Sequence, residues 1–111
     1  MNHIEIGLGA YLIVVKYMRG YKEVFDHLIN EYISERNTKK QFYTLLMEGC
    51  CGLRVFFDTC EDIMERQNLD VLKDKILITP EESKRILACV VSLDSVINEL
   101  VLNHNFSVMS H

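Results

Sequence analysis

The chain has 111 residues, 49% of them hydrophobic and 25% charged, with one proline, five glycines, no tryptophan and a net charge of -4. That apolar content excludes a disordered tail, and the length allows a single domain. Scarce turn residues exclude a barrel or sandwich of many short strands, which turns every ~8–12 residues. The acidic balance argues against a protein that binds nucleic acid by neutralising phosphates.

Hydrophobic residues recur at 3/4 spacing in three segments, which predicts three long amphipathic helices, over about 4–34, 38–66 and 80–103. The first seam is Ile4, Leu8, Tyr11, Val15, Met18, Lys22, Phe25, Ile29 and Tyr32, with Lys22 as its polar intruder. Ile4 to Val15 is apolar enough for a strand. Helix is the preferred reading because Leu8, Tyr11, Leu12 and Val15 share one face. Gly20 marks a place for a bend or break near Arg19–Tyr21.

The second segment opens on a Thr38-x-x-Gln41 capping box. Its seam runs Phe42, Leu46, Gly49, Leu53, Phe56, Cys60 and Ile63. Either Gly49-Cys50-Cys51-Gly52 breaks this helix, or its glycines admit a neighbouring helix. The seam's continuity favours close approach. Residues 67–79 read as a loop or short helix, with a turn or two over Asp70–Ile76.

The third segment has the clearest start: Thr79 as N-cap, Pro80 in the first helical position, and Glu82 completing a capping box. Its seam is Ile86, Val90, Leu93, Ile97 and Leu100, flanked by Leu87, Val91 and Val101, and it should end near Asn103–His104. The tail 105–111 has no period. The expected fold class is all-α: one antiparallel bundle of three to five helices.

Few residues suggest chemistry. Gly7-Leu8-Gly9 lacks the rest of a phosphate loop, and no Cys/His pattern has zinc spacing. His27, beside Glu23, Asp26 and Glu31, could titrate near neutrality, but a solvated histidine is the plainer reading. Cys50 and Cys51 lie within four residues of Arg54, with no histidine near as base; packing is preferred to reactivity. Cys60 and Cys89 fall on apolar faces and read as core. Arg36, Lys39 and Lys40 form an ordinary basic connection.

Charge is unevenly placed: residues 1–57 carry seven Lys/Arg and six Asp/Glu, residues 58–111 five and ten. Asp58, Glu61, Asp62 and Glu65 lie opposite the second seam, and Asp70 and Asp74 follow. A solvated face is the simplest account. The sharper one is a patch for a basic protein partner.

Glu31-Tyr32-Ile33 with Arg36-Asn37, then Tyr43, Leu46 and Met47, resembles the first-to-second helix junction of poxviral proteins built on the B-cell-lymphoma apoptosis-regulator fold. Ala88-Cys89-Val90-Val91 is similar to the central helix of some members. The likeness implies a non-enzymatic binder of host signalling or death proteins. No site residue is carried over from it.

The sequence therefore leads to expectations of no catalytic residues, cofactor or metal, and of a cytoplasmic protein with reduced thiols, neither nucleic-acid-binding nor membrane-spanning. The expected function is a small inhibitor of the immunity-protein or antitoxin type, with Asp58, Glu61, Asp62, Glu65, Asp70 and Asp74 as its partner surface. The alternatives are the viral modulator and a helical homo-oligomer, for which Leu12, Val14, Leu87, Val91 and Val101 are surplus apolar surface.

Overall fold

A computed structural model describes residues 3–32, 40–67 and 74–104. Three helices carry the fold: α1 (Leu8–Tyr32), α2 (Lys40–Arg66) and α3 (Pro80–His104). Two short strands, β1 (Ile4–Gly7) and β2 (Lys75–Ile78), precede α1 and α3 and pair antiparallel. The result is an all-α bundle with a small ribbon at one end.

The ribbon corrects the helical reading of Ile4–Gly7 and of Lys75–Ile76; residues 70–73 of the expected turn lie outside the described residues. A short apolar run fits both periods, and a distant partner decides between them. Here Ile4 pairs with Ile78 and Ile6 with Ile76, which puts four isoleucines on one face of the ribbon. Ile76 and Ile78 are buried there. On the other face Lys75 sits diagonally across from Glu5, at 3.7 Å. The amide of Leu8 donates to the Asp74 carbonyl at 2.8 Å, so α1 starts where the ribbon ends.

α2 is the central helix. It packs on α1 and on α3, whereas α1 and α3 hardly touch each other. Its buried row is Leu46, Gly49, Leu53, Phe56, Thr59, Cys60 and Ile63. Thr59, the one hydroxyl in that row, donates back to the Val55 carbonyl at 2.8 Å. α1 contributes Tyr11, Met18, Phe25 and Leu28 to the same core. α1 is unbroken at Gly20 and α2 is unbroken at Gly49–Gly52. Gly49 is the close approach: a Cβ there would stand 2.7 Å from Phe25 Cζ and nearer still to Cε1. Nothing lies within 4 Å of a Cβ built on Gly52. Thr38, the expected cap of α2, falls outside the described residues.

α3 turns differently from its expected seam. Its buried row is Cys89, Leu93, Val96 and Leu100; Ile86, Val90 and Ile97 are only half-buried. The reason is that α3 leans on α2 alone, so the flank of its wide apolar stripe faces α1 across a gap.

The junction of α2, β2 and α3 is the most heavily bonded place described. Glu82 accepts from the Thr79 amide at 2.8 Å, while its own amide donates to Thr79 Oγ1 at 3.1 Å, which completes the expected capping box. The same carboxylate takes Arg66 in a two-pronged pair, 2.7 Å from Nη1 and 2.5 Å from Nη2. Gln67 then serves β2: its Oε1 accepts from the Leu77 amide at 2.9 Å and its Nε2 donates to the Leu77 carbonyl at 2.7 Å. A side-chain amide thus pairs with β2 as a neighbouring strand would.

Gly49→Ala should cost about 1–3 kcal/mol, because the added methyl meets Phe25. Gly52→Ala should be neutral or gain up to ~1 kcal/mol from helix propensity; paired urea melts separate the two. Arg66 and the Thr79 cap hold Glu82 down to a pKa of about 2. A depressed carboxyl contributes stability above its unfolded range and loses it as pH falls from about 4.5 to about 2. Discounting for the partly exposed guanidinium, the loss should be ~2–3 kcal/mol, and Glu82→Gln should abolish it in melts taken across that range.

Candidate functional site

Two surfaces stand out, on opposite sides of the bundle. The first is the solvent side of α2. Asp58, Glu61, Asp62 and Glu65 are all exposed there. At 100° per residue they form a row facing away from the buried Phe56–Cys60–Ile63 seam. None makes an ion pair within 4 Å among the described residues. Arg54, one turn before Asp58, lies within the row's arc, and Arg66, at its end, is engaged by Glu82. Asp74 is exposed but lies off the row, at the ribbon, where its carbonyl holds Leu8. Asp70 lies outside the described residues.

The second surface is the gap between α1 and α3. At the ribbon end it deepens to an open cavity of about 250 Å³. Ile6 and Ile78 close the ribbon side, and Tyr11 and Phe56 form the floor. Ala10 and Val14 line one wall; Ser83, Ile86 and Leu87 line the other. The Tyr11 hydroxyl is turned inward to the Cys60 thiol; burial first, then that bond, pushes its pKa upward. Ser83 is thus the only polar side chain left on the walls. Further along, Tyr17 and Tyr21 stack edge to face with their hydroxyls 2.8 Å apart. Burial and this bond, with a smaller effect of Asp94, push Tyr21 up to about 12.

The cavity was not singled out from the sequence. Its signal was present: Ala10, Ile13, Val14, Tyr17, Tyr21 and Val24 follow 3/4 spacing on α1 without one charge. They lie beside the seam that α2 buries, and only the missing α1–α3 contact exposes them.

The thiols hold no activated group where the structure resolves a shift. Burial raises the pKa of Cys50, Cys60 and Cys89. Cys60 and Cys89 are core, as expected, and Cys50 is half-buried beside α1. Cys51 is exposed, which corrects its reading as a packing residue. Among the described residues no three His, Cys, Asp or Glu side chains are grouped to hold a metal ion. No described helix is long and apolar enough to cross a membrane. Of the residues that resemble the poxviral proteins, Ala88 and Val91 are exposed on α3 and Cys89 is buried, while Ile33, Arg36 and Asn37 lie outside the described residues. No family model, no curated protein and no solved structure matches the chain.

Proposed function

We propose that the chain is a non-enzymatic protein–protein interaction module that inhibits a basic partner inside the cell, docking it on the solvent side of α2. The carrying observation is the row Asp58, Glu61, Asp62 and Glu65, exposed and free of ion pairs among the described residues. Four carboxylates along two turns of a rigid helix outnumber the cations beside them, Arg54 and the Glu82-bound Arg66, and concentrate negative potential there. Such a surface speeds the encounter with a basic face and disfavours acidic ones. Mounting the row on the central helix keeps its geometry fixed, since α2 is anchored on both flanks. The four cysteines, unpaired although Cys51 is open to solvent, suit a reducing compartment.

Replacing all four acids by lysine tests the reading. The wild-type chain, tagged and incubated with native lysate, should retain a basic protein whose binding weakens with salt. The reversed chain should lose it by a factor of at least ~10 while keeping its helical circular dichroism. Retention of every captured partner by the reversed chain would rule this surface out.

A further inference from the structure

The side of the molecule opposite the acidic row carries the larger unsatisfied apolar area. Ile13 and Tyr17 on α1 are 71% and 54% exposed; Leu87 and Val91 on α3 are 61% and 66% exposed. With Val14 and the half-buried walls of the gap they expose on the order of 600 Å² of mainly apolar surface, at the top of the range for a monomer's largest patch. Of the charged residues described on the two helices, by helical phase only Asp94 lies within this face; Lys16 and Lys84 stand at its rims. An exposed tyrosine among aliphatic side chains, with a single charge, approaches the composition of an interface core.

We infer that this face is covered by a second copy of the same chain, in a two-fold dimer. Three observations favour that occupant. An isologous interface needs a hole and a knob on the same surface. The 250 Å³ cavity and the projecting Leu87 and Val91 supply both within one face. The area is also adequate. Roughly 600 Å² of apolar surface plus a polar rim approaches the ~800 Å² per partner of a standard stable interface.

Charge supplies the third reason. Lys84 and Asp94 lie ten residues apart on α3, about 15 Å along its axis. A two-fold axis crossing the helices at the level of Leu87–Val91 falls midway between them. It runs the two α3 helices antiparallel and seats each Asp94 against Lys84 of the second copy. The single acid of the face and the lysine at its rim are then each other's partners. The acidic rows of both α2 helices remain on the outside, so this inference stands independently of the proposed partner surface.

Light scattering on the purified chain tests it. The wild type should have twice the 12.9 kDa chain mass at about 50 µM, and Leu87→Asp should have the single-chain mass with its helical circular dichroism intact. Val91→Glu, at a side chain already 66% exposed, gives the same readout should Leu87→Asp not fold. Lys84→Asp and Asp94→Lys should each weaken the dimer, and the double exchange should restore it. A wild type that stays at 12.9 kDa up to ~200 µM would overturn the inference, as would a dimer indifferent to both apolar replacements.

Discussion

The pairing of Arg66 with Glu82 is the constraint on which the arrangement depends. It joins the last residue of α2 to the first turn of α3, and Glu82 is at the same moment the capping residue of that turn. One carboxylate therefore fixes where α3 begins and against which end of α2 it begins. The connection between these helices is long enough to permit other placements. Coupling a cap to an inter-helix ion pair selects one of them, since a shift of α3 by a single turn would undo both. Gln67, the next residue, extends the same control to β2 by holding Leu77. With β2 fixed, β1 has a template, and with β1 in place α1 is aimed along the bundle.

This anchoring is one-sided. α3 is held to α2 by an ion pair, a cap and a buried row from Cys89 to Leu100. α1 is held to α2 by the close fit of Phe25 on Gly49 and by the row from Tyr11 to Leu28. α1 and α3 hardly touch each other among the described residues. Three helices that share a single central member bury only part of each stripe, and the described residues hold no fourth long helix to cover the rest. The apolar surplus is thus a consequence of topology as much as of composition.

The three helices and the α3 cap were legible in the sequence because they rest on local chemistry: 3/4 spacing, Pro80 after Thr79, Glu82 at the third position. The close approach at Gly49 was legible too, since the seam passes through it without a change of phase. The ribbon was not, because Ile4–Gly7 fits either period and its partner lies about seventy residues away. The turn of α3 was missed for a related reason. Periodicity shows that a helix has a wide apolar stripe, but which edge is buried depends on the neighbours it meets. The acidic row could be placed with assurance, since its phase against the α2 seam follows from residue numbers alone. The cavity could not, as it exists only because two helices fail to meet.

Gln67 has one further consequence. A two-stranded ribbon has two edges, each a template for another strand. The amide of Gln67 occupies the edge of β2 at Leu77, whereas the outward backbone groups of Glu5 on β1 bond no described residue. Growth by strand addition needs an open site on both sides, as a polymer needs two reactive ends. With Leu77 held by a side chain, the β2 edge is stoppered at that point, and a strand added there would first have to displace the Gln67 amide.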